Sequence, residues 1–193
     1  MNAATTTTPA LPAPITTLPL RAALHVALTL AGATLVTAIA VRLAVAADAR
    51  DLLGFGFAGV PADAGTAAGI FATNTRVLGG VLAACVAVQL GRRQPGDGLP
   101  GALLSVLVTV CDAAVLLGCA LHALYVGAAI GAYGTRTLEV LVAHGPVEIA
   151  AFALALGLYV TARRRTVAVR VTVMTALVAV ALLALGALLE TFA

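Results

Sequence analysis

Lysine and tryptophan are absent from this 193-residue chain, charged side chains are scarce at 10%, and its three cysteines form no Cys-x-x-Cys pair. Each absence excludes something. All eleven basic residues are arginine, in a chain rich in alanine and valine. That pattern reflects coding bias, so the sequence pI of about 9.1 gives no reason to expect a nucleic-acid partner. Cys85, Cys111 and Cys119 all fall in apolar runs. Cys111 and Cys119 would lie roughly 12 Å apart along a helix, beyond disulfide reach. A disulfide framework and a cysteine zinc site are therefore not expected, and small apolar packing residues are. There is no P-loop, no Gly-x-Ser-x-Gly and no His-Glu-x-x-His, so neither ATP hydrolysis nor common hydrolase chemistry has support, and no cofactor is implied.

Apolar residues, by contrast, make up 62% of the chain and its mean hydropathy is +1.09, more apolar surface than a globule of this length can hide. The chain must use lipid as part of its solvent. Five runs are long enough to cross a hydrocarbon core, which takes roughly 20 helical residues. They are Ala22 to Ala46, Thr66 to Leu90, Leu103 to about Gly127, Leu141 to Ala162 and Val171 to Glu190. The expected fold is all-α, a polytopic membrane helix bundle forming one domain over residues 21–193. Residues 1–20, rich in Thr, Pro and Ala, read as a disordered tail.

The arginines set the expected orientation. With the N-terminus cytoplasmic, that side receives Arg21, Arg92, Arg93, Arg163, Arg164, Arg165 and Arg170, while the opposite loops hold only Arg50 and Arg136. The reading is N-terminus in, C-terminus out, a multi-pass protein of the cell membrane. Cleavage of the first run at "AVAADA" as a signal peptide is disfavoured by the length of that run and by Arg42 inside it.

Ionisable groups inside lipid are costly and mark cavities or partners. With this orientation most converge on the outer leaflet. The candidates for one polar pocket are Asn74, Arg76, His122, His144, Gly145, Glu148 and Glu190, with Arg42 and Asp112 as secondary candidates. Arg42 and Arg76 are expected to neutralise Glu148 and Glu190, and Asp112 to be protonated or paired. Gly145-Pro146 reads as a helix start, which makes Arg136 to His144 an interfacial piece and puts Glu148 in the first helical turn. A helix running through from Leu141 would instead put His144 and Glu148 on one face, as an acid–base pair or metal ligands would be. Two candidate ligands are too few for a metal. "DLLGFGFAGVP" (Asp51 to Pro61) reads as an amphiphilic loop on the headgroups, and Gly79, Gly80, Gly118 and Gly157 as points of close helix approach.

Three stretches carry a resemblance. "AHGPVEIAAFALALGLYV" (Ala143 to Val160) has a His-Gly-x-x-Glu element ahead of an apolar helix. "FATNTRVLGGVLAACVAV" (Phe71 to Val88) opens with Asn74 and Arg76, and "ALVAVALLALGALLETFA" (Ala176 to Ala193) ends near Glu190. In order and spacing these resemble the stage II sporulation protein M family. The resemblance implies a bundle of about five spans and membership of a membrane complex. The family's namesake anchors a peptidoglycan-remodelling machine, and relatives accompany transport ATPases or the maturation and export of hydrophobic peptides. The leading expectation is a non-catalytic scaffold or assembly subunit partnered by an ATPase or an extracytoplasmic enzyme, in which the polar pocket would be structural and Arg76, Glu148 and Glu190 would neutralise one another. A homo-oligomer is also compatible with the composition. The alternatives are a permease-like subunit for a hydrophobic peptide, with a pocket lined by His122 and His144, and a membrane-embedded enzyme using His144 and Glu148. The enzyme reading comes last because Ser105 and Cys111 have no adjacent base.

Overall fold

The computed structural model describes residues 19–57, 59–93 and 99–193. The expected tail therefore lies, but for its last two residues, outside the described residues. Six helices follow in order: α1 (Leu20–Ala44), α2 (Ala46–Leu53), α3 (Ala64–Arg93), α4 (Leu99–Tyr133), α5 (Thr135–Arg164) and α6 (Val169–Phe192). All but α2 are long and apolar enough to cross a membrane, and the described residues contain no strand. The chain is an all-α, multi-pass membrane bundle. Each expected span is present, and all but the first are longer than their apolar runs.

Large apolar side chains cover the outside of the bundle, among them Leu24, Leu28 and Leu35 on α1 and Leu116, Leu117 and Leu121 on α4. In water such a surface would drive aggregation; in a bilayer it is solvated by lipid. Helix α5 is the axle of the fold, packing on α1, α3, α4 and α6. Beyond Pro146 its buried positions are Ala151, Ala153, Leu154, Ala155, Leu156, Gly157, Leu158, Tyr159 and Ala162. Alanine and glycine at so many of these sites let backbones approach closely, because lipid supplies no hydrophobic drive between helices and packing must do so.

Three glycines show where this approach is closest. A Cβ on Gly157 would lie 2.5 Å from the Ala23 nitrogen, one on Gly131 2.5 Å from the Ala38 carbonyl oxygen, and one on Gly127 2.7 Å from the Thr34 carbonyl oxygen. Helix α1 is thus seated on α4 through Gly127-x-x-x-Gly131 and on α5 through Gly157. Gly79, Gly80 and Gly118 behave differently from expectation: a Cβ at any of them meets nothing within 4 Å, so they face outward and join no helix in this chain.

The α4–α5 hairpin turns on a single residue, Gly134, whose φ of 63° and ψ of −128° lie where side chains clash with backbone. Helix α5 then runs unbroken to Arg164 with Pro146 in its interior. This corrects the expected helix start. Residues 135–143 belong to the same helix, and Glu148 is its fourteenth residue, far from the unpaired N–H groups of the first turn. Pro146 has no N–H to offer the Val142 carbonyl, and packing on both sides of it holds the helix together despite that loss. Residues 51–53 end α2, and the loop beyond folds over the end of α4. The Tyr133 hydroxyl donates to the Arg50 carbonyl at 3.0 Å and accepts from the Phe55 N–H at 3.1 Å, within a cluster of Phe55, Phe57, Tyr125 and Tyr133.

Five crossings leave the chain with two unlike ends. The starts of α1, α4 and α6 and the finishes of α3 and α5 share one end, where Ala23 meets Gly157, Asp112 meets Arg163 and Gln89 meets Val167. That end carries Arg21, Arg92, Arg163, Arg164, Arg165 and Arg170; the other half carries Arg42, Arg50, Arg76 and Arg136.

Candidate functional site

At the arginine-poor end, α3, α5 and α6 enclose an open pocket of about 510 Å³ lined by Thr66, Gly69, Ile70, Thr73, Asn74, His144, Glu148 and Glu190. Helix periodicity explains the composition of its walls. His144 and Glu148 are four residues apart on α5 and so share a face, and the unbroken helix keeps them there. Thr66, Gly69, Ile70, Thr73 and Asn74 repeat at three to four residues along α3, giving a groove roughly 12 Å long down that helix. Glu190 comes from the last turn of α6.

Antiparallel packing of α5 and α6 brings these elements into register. Glu148 lies beside Gly186, and a Cβ at position 186 would come within 2.8 Å of the Glu148 Cγ. Only glycine there leaves the Glu148 side chain its place. Four residues later on the same face of α6 stands Glu190. One ligand atom each of His144, Glu148 and Glu190 lie within 4.8 Å of one another. The Asn74 amide donates to Glu148 Oε1 at 2.5 Å. His144 is only 6% exposed, and its side chain makes no hydrogen bond among the described residues.

The electrostatics of this cluster are unusual. Two ionised carboxylates about 5 Å apart repel by roughly 3 kcal/mol at an effective dielectric of about 20. Glu190 also sits at the negative end of the α6 dipole, which disfavours a carboxylate there. No arginine compensates. Arg76, expected to neutralise the pair, is exposed on the opposite side of α3, and Arg42 is exposed on α1. The one ion pair among the described residues is Arg163–Asp112, at 2.9 Å.

Other candidates are placed elsewhere. His122 is exposed on α4 and does not line the pocket. Gly145 is buried beside His144 but faces Leu141. Asp112 belongs to the arginine-rich end, where it is paired as one of its two expected states required: it accepts from the Tyr159 hydroxyl as well as from Arg163. The structure thus brings together Asn74, His144, Glu148 and Glu190, and leaves Arg76, His122, Gly145, Arg42 and Asp112 outside. It adds Gly186, Thr66, Gly69, Ile70 and Thr73. Gly186 had a sequence signal, a glycine one turn ahead of an intramembrane glutamate; the pocket residues of α3 had only their spacing from Asn74.

The pocket holds no activated nucleophile. The Thr73 hydroxyl is committed to the Gly69 carbonyl at 3.0 Å, and the Thr66 hydroxyl to the Asp63 carboxylate at 2.9 Å. Ser105 is exposed on α4, and Cys111 packs against the core cluster of Cys85 and Leu158. What the arrangement can do is bind: two carboxylates, an imidazole and an amide face a groove open to the outside. Comparison with protein-family models, with curated proteins and with solved structures finds no match to this chain.

Proposed function

We propose that this chain is a non-catalytic subunit of a bacterial cell-membrane complex, of the kind its resemblance to stage II sporulation protein M implies. It would present an acidic pocket on the outer face to a partner, in place of the neutralised, structural pocket expected of such a subunit. The observation that carries the reading is the convergence of Glu148, Glu190, His144 and Asn74 in an open groove with no arginine to neutralise them. Groups that served the fold alone would be paired, because an unpaired intramembrane charge costs stability. The arginine distribution supports an extracytoplasmic pocket, since the arginine-rich end belongs in the cytoplasm by the positive-inside rule. Engaged threonine hydroxyls and the lack of any nucleophile with an adjacent base favour binding over catalysis.

A permease-like role for a hydrophobic peptide is favoured by one feature. The groove runs between helices from Thr66 to Asn74, so a cationic group at a peptide's end could reach Glu148 while the rest lay along apolar helix faces.

The test is complementation. A strain lacking the gene receives the wild type, Glu148→Gln or Glu190→Gln, and membrane abundance is measured beside the deletion phenotype. Both variants are expected to reach normal abundance and fail to complement. Full complementation by both would refute the pocket as the working part of the protein.

A further inference from the structure

We infer that His144, Glu148 and Glu190 form a binding site for a divalent transition-metal ion of the zinc class. The inference deepens the pocket reading above and rests on it only in assuming that the pocket binds something. It does not depend on topology or on the nature of the partner.

The donor set comes first. One imidazole nitrogen and two carboxylates are the ligand types that zinc accepts, and three protein ligands with one position open is the arrangement of zinc sites that engage other molecules. Cysteine-rich and all-oxygen sites, the usual choices for structural zinc and for calcium or magnesium, do not match. Geometry comes next. Three atoms no more than 4.8 Å apart share a centre no farther than about 2.8 Å from each, against roughly 2.0–2.2 Å for zinc to nitrogen or carboxylate oxygen. Side-chain rotations of less than an ångström each would close the site. Gly186, with no side chain of its own, leaves the Glu148 side chain its place at the centre of the set.

The surroundings point to a cation as well. His144 is more than nine-tenths buried, lines the pocket and has no hydrogen-bond partner among the described residues, as a ligand awaiting its metal would. Asn74 donates to Glu148 Oε1, which fixes the carboxylate and leaves Oε2 for the ion; orienting partners of this kind accompany metal-binding carboxylates. A divalent ion would cancel the repulsion between the two glutamates and the unfavourable position of Glu190 at the α6 C-terminus. Its open coordination position would face the groove along α3, where a carboxylate, thiolate or imidazole of an incoming molecule could complete the shell.

The experiment uses the full chain purified in detergent, stripped with chelator and dialysed against Zn²⁺, with bound metal counted by mass spectrometry and folding checked by size exclusion. One equivalent of Zn²⁺ is expected, retained in millimolar Mg²⁺. His144→Ala and Glu190→Gln should bind at least about 100-fold more weakly. Asn74→Ala, which keeps every ligand, should lose roughly 10- to 100-fold. Co²⁺ should give the intense visible absorption of a low-coordinate site in the wild type and lose it in His144→Ala. Folded wild-type protein that takes up no Zn²⁺, or folded His144→Ala and Glu190→Gln that bind as tightly as the wild type, would overturn the inference. Zinc binding and the complementation test separate the two claims. Variants that fail to complement in a protein that binds no zinc would sink the metal and leave the pocket standing, and the reverse pattern would do the opposite.

Discussion

The two ends of this bundle treat their intramembrane polar groups in opposite ways. At the arginine-rich end the polar groups where α3, α4 and α5 meet have opposite or complementary partners. Asp112 is met by Arg163 and by Tyr159, Arg92 donates to the Arg163 and Arg164 carbonyls at 3.0 and 3.2 Å, and Gln89 bridges to Val167 and Arg165. These bonds satisfy the carbonyls that α5 leaves open at its C-terminus and tie α3, α4 and α5 together. At the other end two carboxylates and an imidazole converge with a single amide for company. Polar groups that serve the fold arrive in satisfied sets, whereas two carboxylates held together with no arginine beside them would suit a group that comes from outside.

The comparison can be broken from either side. The largest effect is expected where the arginine-rich end is packed most closely. Gly157→Leu would drive a side chain into the α1 backbone at Ala23, and overpacking of this kind costs roughly 1–3 kcal/mol or more. Folded yield in detergent should collapse, while Gly79→Leu and Gly118→Leu, which face open space, should leave it unchanged. Next in size is Asp112→Asn. It strands Arg163 in a pair whose side chains are 29% and 43% exposed, placing the loss between that of a surface and a buried ion pair, roughly 1–3 kcal/mol in thermal or denaturant unfolding.

Smaller is Gly186→Ala. The new methyl group would displace the flexible Glu148 side chain and leave the helices in place, so stability should change by less than about 1 kcal/mol. Complementation should suffer nonetheless, separating pocket geometry from folding. Smallest is the N-cap of α3. Asp63, outside the membrane-spanning segments, accepts hydrogen bonds from the Thr66 backbone N–H and hydroxyl, and these hold its carboxyl below the usual 3.8. A carboxyl lowered by folding contributes stability above its unfolded value, lost as the pH falls through the folded one. Hydrogen exchange at Gly65 and Thr66 should therefore quicken as the pH drops below about 4 relative to the chemical exchange rate, and Asp63→Ala should remove that dependence.

Much of this was legible in the sequence, and the misses have physical causes. Five apolar runs produced five spanning helices, because in lipid each backbone must satisfy its own hydrogen bonds within the helix. The polar cluster was legible in depth but not in azimuth. Asn74 and Arg76 share a depth, yet two residues on a helix are about 200° apart, so a pocket that takes Asn74 must send Arg76 the other way. His122 failed for a related reason: its neighbour Ala123 is the buried residue, and the side chain next to it turns outward. Gly145-Pro146 misled because that pair often opens helices, but here apolar positions continue on both sides of it and tertiary packing outweighs one missing hydrogen bond. The short helix α2 escaped notice because eight residues with two aspartates and an arginine carry no membrane signal.

The measurement that bears most directly on the contrast between the ends is the thermal unfolding, in detergent and with chelator present, of the double variant carrying Glu148→Gln and Glu190→Gln against the wild type. If the pocket carboxylates are uncompensated, removing both charges relieves their repulsion, while the amide oxygen introduced at position 148 can still accept from Asn74. The double variant will then unfold at or above the wild-type temperature. A loss of stability comparable to that of Asp112→Asn would contradict the account, because it would mean the two glutamates are held in a satisfied set like the groups at the opposite end.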